Sequence, residues 1–176
     1  MLNLYVVEGT SDLQKLKSLG FVYIYPLNGL QVNKEELDFL NLANKVRKII
    51  LVLDPDVAGH ILTKLLQSKL TNTITIKIDK KRAIKHNKVG VAETDLEYLR
   101  YKLNNCYVFD SLNKEKETIN LDDANEIYKN KDLLSKLKNK YYLRIDNLNN
   151  FYLDLNILNL DKKELLWMQI KELSIY

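Results

Sequence analysis

The sequence predicts an α/β fold, a parallel sheet with helices on both faces, joined to a small, mainly helical C-terminal domain. Two observations support the sheet: short apolar runs alternate with helical periodicity over the first hundred residues, and those runs are continuously apolar. Continuous apolar strands are typical of parallel sheets that helices cover on both faces. A third observation supports the second domain, because helical patterns persist beyond about residue 104 whereas strand-like runs do not.

The predicted strands are short runs that end at turn signals. The four runs are residues 4–7, 21–25, 49–53 and 73–78. The first ends at Glu8 and Gly9, the second at Pro26 and the third at Asp54. Because a helical segment separates each run from the next, we expect the strands to pair in parallel.

Four helices are predicted from apolar spacing and from side chains that suit an N-cap. Ser11, Asn33 and Thr94 are expected caps, since their side-chain oxygens can accept hydrogen bonds from the free N–H groups of a first turn. The predicted helices run over about residues 11–18, 33–45, 58–67 and 94–103.

A domain boundary is expected where Asn, Lys and Glu dominate and periodicity fades. The predicted organisation is a catalytic domain over residues 1–105, a linker over 106–120 and a helical domain over 121–176. Four helices are expected in the last part, led by Asn120 or Asp122, then Asp132, Asp146 and Asp161. Trp167 and Met168 are expected in the core of this domain.

Composition excludes several classes of protein. The single cysteine, Cys106, excludes a disulfide framework and a multi-cysteine zinc site. The longest aliphatic run, residues 49–53, is far shorter than the roughly 20 residues of a membrane-spanning helix. The chain also begins on a strand-like run rather than on a signal peptide. We expect a soluble, cytoplasmic monomer with no membrane association.

Three carboxylates follow strands of the predicted sheet. Glu8 directly follows the first strand, and Asp54 and Asp56 follow the third in the run DPDVAG. Because the carboxyl ends of neighbouring parallel strands meet at one edge of a sheet, these side chains can share one site. Carboxylate oxygens suit Mg²⁺, which binds one or two of them directly and keeps several waters.

A plainer interpretation of each acid exists. An Asp at a strand end is often only the cap of the next helix, and a single Glu there is often solvated. The combination of a Glu after one strand with Asp-X-Asp-x-x-Gly after another favours a metal site over coincidence. We therefore predict a Mg²⁺ site at Glu8, Asp54 and Asp56, with Glu8 either a ligand or a general base.

These motifs resemble those of the Toprim domain of topoisomerases, bacterial primases and several nucleases. The matching runs are VVEG at residues 6–9 and DPDVAG at residues 54–59. Within that superfamily the chain is most similar to the ribonuclease M5 family, which matures 5S ribosomal RNA. The runs that carry this similarity are LNG at 27–29, NKE at 33–35, KVGVAE at 88–93, NNF at 149–151 and LNLDKKEL at 158–165.

The resemblance implies a Toprim (Rossmann-like) sheet and a Mg²⁺-dependent endoribonuclease that leaves 5′-phosphate ends. Its implied substrate is precursor 5S rRNA, cut in a terminal stem, with the 5S-binding ribosomal protein or the large ribosomal subunit as a further partner. It makes Glu8, Asp54 and Asp56 the catalytic metal ligands and Glu93 a fourth catalytic candidate. Ala92 stands where the family has its Glu, so Glu93 is equally a first-turn acid that favours the helix dipole.

Basic residues cluster between the fourth strand and Gly90. Residues 1–103 hold 16 Lys and Arg against 11 Asp and Glu, whereas residues 104–176 hold 11 against 12. Such a run is often only a solvated loop, but beside an acidic metal site it can hold phosphates that the carboxylates would repel. The residues assigned to RNA binding here are Lys80, Lys81, Arg82, Lys85 and Lys88.

Three further residues are assigned to RNA binding. Asn28 lies in the family-like turn at 27–29, and Lys136 and Lys140 lie among tyrosines of the C-terminal domain. Lysines interleaved with aromatic residues suit folded RNA, although an ordinary helical surface explains them equally well. Two alternatives to the ribonuclease stay open: a Toprim DNA nuclease or primase-like enzyme, and a noncatalytic RNA-binding ribosome-assembly module.

Overall fold

The computed structural model describes residues 2–27, 29, 31–85, 88–106 and 117–173. The chain divides into two compact units, Met1–Asn113 and Lys114–Tyr176. Most of the predicted linker, residues 107–116, lies outside the described residues, and so does Asn28. Within the described residues, no helix is both long enough and apolar enough to cross a membrane.

The first unit is built on a four-stranded parallel sheet. Its strands are β1 (Leu2–Val7), β2 (Ile24–Pro26), β3 (Arg47–Leu51) and β4 (Thr73–Thr75), in the spatial order β2-β1-β3-β4. Val6 of β1 lies opposite Tyr25 on one side and Leu51 on the other. The predicted α/β class with a parallel sheet is confirmed.

Helices follow the strands as predicted. They are α1 (Thr10–Ser18), α2 (Lys34–Val46), α3 (Val57–Lys69) and α4 (Leu96–Cys106). Asn33 caps α2 by accepting a hydrogen bond from the N–H of Glu36. Ser11 is not a cap: α1 begins one residue earlier, with Gly9 as its N-cap, because the Asp12 carboxylate accepts the Gly9 N–H.

The segment after β4 is more ordered than a basic loop. It contains a 3₁₀ turn at Lys80–Arg82 and a two-stranded antiparallel hairpin of β5 (Ile84–Lys85) and β6 (Lys88–Val89). β4 ends at Thr75 rather than at Ile78, although Ile76 and Ile78 remain buried in the core. Strands of two residues are too short for a periodic pattern to predict them.

The second unit is helical in its described part. Its helices are α5 (Leu121–Lys129), α6 (Lys131–Tyr141), α7 (Leu148–Ile157) and α8 (Lys162–Leu173). Asn130 caps α6, two residues before the suggested Asp132, and Asn147 caps α7, one residue after the suggested Asp146. Trp167 is 57% exposed, so its expected place in the core is wrong. A buried ion pair between Arg144 and Asp154 joins the segment between α6 and α7 to α7 itself.

Candidate functional site

Acidic side chains of the first unit meet at the carboxyl edge of its sheet. Glu8 directly follows β1, and Asp54 and Asp56 lie between the end of β3 and the start of α3. β1 and β3 are neighbours, and the strand order changes direction between them, since β2 lies on the far side of β1. A switch point of this kind is where open α/β sheets bind their ligands.

Glu8 and Asp54 are joined directly. The backbone N–H of Asp54 donates a 2.7 Å hydrogen bond to Oε1 of Glu8. The carboxylate of Asp54 in turn accepts a 2.6 Å hydrogen bond from the N–H of Val91. Three separate segments of the chain, those at residues 8, 54 and 91, are therefore held together by backbone-to-carboxylate bonds.

Asp56 is the N-cap of the helix that follows it, which is the alternative role that the sequence suggested. Its Oδ1 accepts the N–H of Gly59 at 2.8 Å, which makes Asp56 the N-cap of α3. This bond fixes the carboxylate at the positive end of the α3 dipole, where a negative charge is favoured. Capping and metal binding are compatible, because a carboxylate has two oxygens and several lone pairs.

Two glycines leave room for these acids. A Cβ on Gly59 would lie 2.2 Å from the backbone oxygen of Asp54 and 2.5 Å from Oε1 of Glu8. A Cβ on Gly90 would lie 3.1 Å from both carboxylate oxygens of Asp54. Any side chain at Gly59 would displace the Glu8 carboxylate, so the glycine is a steric requirement of the site.

Asp12 is a fourth acid of the site, and it was missed from the sequence. It is 6% exposed and accepts the N–H of Gly9 at 3.0 Å and the N–H of Ala92 at 2.9 Å. It thereby links the loop after β1 to the segment that follows the hairpin. Asp12 and Leu16 both lie on the buried face of α1, so a charged residue on an apolar helix face was the available signal.

Glu93 lies beside this group rather than within its hydrogen bonds. Its N–H donates to the backbone oxygen of Gly90 at 3.2 Å, and its charge is one of the factors that raise the pKa of Asp12. It lies three residues before Leu96, where α4 begins, so it is not an acid of the first turn. The described contacts bring Glu93 to the edge of the cluster, and its role as a metal ligand stays a prediction.

Burial and mutual repulsion raise the pKa values of Glu8, Asp54 and Asp12. Burial raises the pKa of Glu8 to about 7, with added repulsion from Asp54, Asp56 and Asp12 and opposition from the Asp54 N–H. Burial likewise raises the pKa of Asp54 to about 6, and burial raises the pKa of Asp12. A cluster of carboxylates that repel one another is a setting in which a bound cation lowers the free energy of the ionised forms.

The donor set fits Mg²⁺. Glu8, Asp54 and Asp56 offer only oxygen donors, although within the described part of the chain no group of three or more Asp, Glu, His or Cys side chains is arranged to hold a metal ion. Mg²⁺ does not need such a group, because it keeps several waters and takes one or two carboxylates directly.

The predicted basic residues of the first unit lie on the 3₁₀ turn and on the hairpin of β5 and β6, which adjoin this site. All five, Lys80, Lys81, Arg82, Lys85 and Lys88, are exposed. Ala83 at the base of the hairpin is fully buried, and its oxygen accepts the N–H of Gly90 at 2.9 Å. Gly90 borders the Asp54 carboxylate, so the base of the basic hairpin adjoins the acids.

The two predicted lysines of the second unit lie on α6. Lys136 and Lys140 are both exposed. The ammonium of Lys140 lies 4.8 Å from the centroid of the Tyr141 ring and 3.4 Å from the sulfur of Met168. A cation above an aromatic ring is suited to contact RNA, and the assignment of both lysines to RNA binding stays a prediction.

Comparison with known proteins agrees with this geometry. Residues 3–92, about half of the chain, match the model of the Toprim domain. The chain is 30% identical over 129 residues to "Ribonuclease M5" of Mesoplasma florum, covering 70% of this chain and 72% of that protein. It is 29% identical over 157 residues to "Ribonuclease M5" of Mycoplasma pneumoniae, covering 88% and 87%. The match to "Ribonuclease M5" of Mycoplasma genitalium is 32% identical but spans only 57% of each chain.

Proposed function

Because the chain belongs to the ribonuclease M5 family of Toprim proteins, we propose that it is a Mg²⁺-dependent endoribonuclease that matures precursor 5S ribosomal RNA. In this proposal the enzyme hydrolyses a phosphodiester bond on each side of a terminal stem and leaves 5′-phosphate ends. It acts as a monomer in the cytoplasm, with the 5S-binding ribosomal protein or the large ribosomal subunit as a further partner.

The observation that carries the proposal is the hydrogen bond between Glu8 and the backbone of Asp54. It holds acids from two adjacent strand ends beside each other, at the edge of the sheet where ligands bind. The names of the relatives supply the substrate class, since "Ribonuclease M5" denotes a ribonuclease in each of them.

Glu8, Asp54 and Asp56 are the residues that we expect to hold the metal. Bound Mg²⁺ supplies an activated water and neutralises charge on the attacking and leaving oxygens of an in-line displacement. Without a metal, burial raises the pKa of Glu8 to about 7, and a bound cation would favour its ionised form, as a ligand or as a general base. The Asp56 carboxylate, fixed by the Gly59 N–H, gives the site a rigid oxygen at the start of α3. No nucleophile from the protein is required.

The exposed cations can attract the phosphates of an RNA substrate, which the carboxylates repel. Phosphates repel Glu8 and Asp54, whereas Lys85 and Lys88 on the adjoining hairpin attract them. Lys136 and Lys140 of the second unit are proposed to contact the folded precursor through its phosphates. Residues 104–176, which include the second unit, carry 11 basic and 12 acidic residues, so shape and stacking are expected to contribute more there than net charge.

The experiment that tests this function is an incubation of the purified chain with precursor 5S rRNA, with and without Mg²⁺, followed by mapping of both product ends. We expect cleavage on both sides of the terminal stem that requires Mg²⁺. A DNA stem of matched sequence serves as the competing substrate. Cleavage of the DNA alone would favour the DNA nuclease, and RNA binding without turnover in Mg²⁺ would favour a noncatalytic module.

A further inference from the structure

A cluster of aromatic and basic side chains lies on α4 and the 3₁₀ turn. The guanidinium carbon of Arg82 lies 5.3 Å from the centroid of the Tyr98 ring, and the ammonium of Lys102 lies 6.0 Å from the same centroid. Tyr101 is 62% exposed. We call these four residues, Arg82, Tyr98, Tyr101 and Lys102, the α4 platform.

Helix geometry places three of these residues on one face. Tyr98, Tyr101 and Lys102 have the spacing i, i+3 and i+4, at which side chains of an α-helix are neighbours. Leu99 and Leu103, on another face of α4, are buried in the core of the first unit. Tyr98 is partly buried and packs against that core, whereas Tyr101 is exposed, so Tyr101 is the ring of the platform that solvent reaches.

One hydrogen bond holds the 3₁₀ turn against the platform, and a second caps the turn itself. The backbone N–H of Asp79 donates to the hydroxyl oxygen of Tyr98 at 3.2 Å. The Asp79 carboxylate in turn accepts the N–H of Lys81 at 2.9 Å and caps the turn. Tyr98 therefore positions Arg82 in two ways: its hydroxyl accepts the Asp79 N–H, and its ring lies beside the Arg82 guanidinium.

The platform is close to the acidic site along the chain. Arg82 is followed by Ala83, whose oxygen accepts the Gly90 N–H, and Gly90 borders the Asp54 carboxylate. One step of the backbone is about 3.8 Å, so only a few steps separate Arg82 from the acids. A nucleic acid with one phosphate at the carboxylates can reach the platform with neighbouring nucleotides.

We propose that the α4 platform binds unpaired nucleotides of the RNA substrate next to the cleavage site, with a base stacked on Tyr101 and phosphates held by Arg82 and Lys102. This proposal rests on the proposed ribonuclease function. Exposed aromatic rings flanked by cations are the arrangement with which proteins bind single-stranded nucleic acid, because every base has a face that can stack. Glu97 borders Tyr101 on the side away from Lys102, which directs the phosphates toward Lys102.

The test compares binding of two labelled RNAs by the full chain in EDTA: a stem with a single-stranded overhang and the same stem with blunt ends. We expect Tyr101→Ala to weaken binding of the overhang RNA about tenfold and to leave binding of the blunt stem unchanged. Tyr101→Phe should restore wild-type affinity, since it keeps the ring. Replacing the stacked nucleotide by an abasic one should make the wild-type protein bind as weakly as Tyr101→Ala.

Charge variants provide the second measurement. Arg82→Met and Lys102→Met should each lower the slope of log affinity against log salt concentration by about one. Arg100→Met is the matched control, because Arg100 is an exposed cation of the same helix that lies about 160° around the axis from Tyr98. The control should leave the affinity for the overhang RNA unchanged.

The outcomes separate this proposal from the proposed function. Equal affinity of Tyr101→Ala and the wild type for the overhang RNA would overturn the platform, even if the wild type cleaves precursor 5S rRNA. An overhang-specific loss in Tyr101→Ala, in a protein that cleaves no RNA, would support the platform and reject the nuclease. Should Tyr101→Ala fail to fold by circular dichroism, Tyr101→Leu provides the same comparison with more of the side chain retained.

Discussion

The carboxylate of Asp54 accepts a 2.6 Å hydrogen bond from the backbone N–H of Val91, which joins the end of β3 to the segment that follows the basic hairpin. Val91 is fully buried, whereas the Asp54 carboxylate that accepts the bond is half-buried. The bond makes the orientation of the Asp54 carboxylate depend on how the hairpin returns to the sheet. Any phosphate-binding movement of the hairpin is therefore coupled to an acid of the proposed metal site.

Removing the charges at Asp54 and Asp56 should stop cleavage without removing RNA binding. We expect Asp54→Asn combined with Asp56→Asn to reduce the cleavage rate at least about 100-fold, because metal-assisted charge stabilisation is lost. Affinity for precursor 5S rRNA should stay within a few-fold, since these acids repel phosphate. The rate is measured in single-turnover assays, with Asp38→Asn on α2 as the control; normal cleavage by the double variant would contradict the assignment.

Asp12 should act by positioning the loops that carry the other acids. Asp12→Asn places an amide nitrogen where Oδ1 or Oδ2 now accepts a backbone N–H, so one of the bonds to Gly9 and Ala92 is lost. Leaving a buried donor without a partner costs about 1–3 kcal/mol, and we expect a loss of stability of that order in urea unfolding.

A positioning role also predicts how cleavage changes in Asp12→Asn. The cleavage rate should fall, and a higher Mg²⁺ concentration should recover part of it, because the ligands remain but are less well ordered. Asp12→Glu should not rescue the loss, since its longer side chain cannot reach both N–H groups in the same geometry. A variant with wild-type stability and wild-type Mg²⁺ dependence would contradict this role.

The sheet could be predicted from the sequence because its signals are local. A buried parallel strand is a continuous apolar run, and the cap of α2 is encoded by Asn33 and Glu36, three residues apart. The hairpin of β5 and β6 could not be predicted, since each strand has two residues and the pairing depends on Ala83 being buried beneath it. Trp167 was misplaced because composition shows that a residue is apolar, not which side of a helix faces the core.

The acids of the site could be predicted only where they follow strands. Glu8, Asp54 and Asp56 stand at strand ends, and parallel topology brings those ends together. Asp12 lies inside a helix, and its partner Ala92 is 80 residues away along the chain, so no local pattern indicates the contact. The α4 platform could not be predicted for the same reason, because Arg82 and Tyr98 become neighbours only when the 3₁₀ turn packs on α4.

Gly59 should be the least replaceable glycine of the site. Gly59→Ala would place a methyl group 2.2 Å from the Asp54 backbone oxygen and 2.5 Å from Oε1 of Glu8. Overpacking of this kind typically costs about 1–3 kcal/mol, and it should displace Glu8 and strongly reduce cleavage. Gly9→Ala is the matched control, because its nearest contact would be 3.7 Å from Asp12. Equal activity of the two variants would show that the contact at Gly59 has no importance.

The second unit offers a comparison of a buried and an exposed ion pair. The Asp154 side chain is fully buried and pairs with Arg144, whereas Lys162 and its partners Asp123 and Glu126 are exposed to solvent to different degrees. Asp154→Asn should destabilise the protein by about 3–5 kcal/mol, since it leaves the Arg144 charge without its partner. Lys162→Met should change stability little. Urea unfolding followed by circular dichroism checks both, and similar small effects would contradict the burial argument.

The raised pKa values of the acids predict how stability depends on pH when no metal is present. Burial raises the pKa of Glu8 from 4.5 to about 7 and that of Asp54 from 3.8 to about 6. Between about pH 4 and pH 7 the folded state therefore binds more protons than the unfolded state, so the free energy of unfolding falls as the pH rises through that window. Solvent screening of these half-buried groups makes the effect smaller than the full shifts imply.

Calorimetry in EDTA between pH 5 and pH 8 measures this dependence. We expect the melting temperature of the wild type to fall more steeply with rising pH than that of Glu8→Gln, which has no proton to lose at this position. Glu97→Gln, an exposed acid of α4, should follow the wild type. Mg²⁺ should raise the melting temperature of the wild type more at pH 8 than at pH 5.5, because metal binding needs the ionised acids. Parallel curves for the wild type and Glu8→Gln would show that Glu8 does not hold its proton in the folded protein.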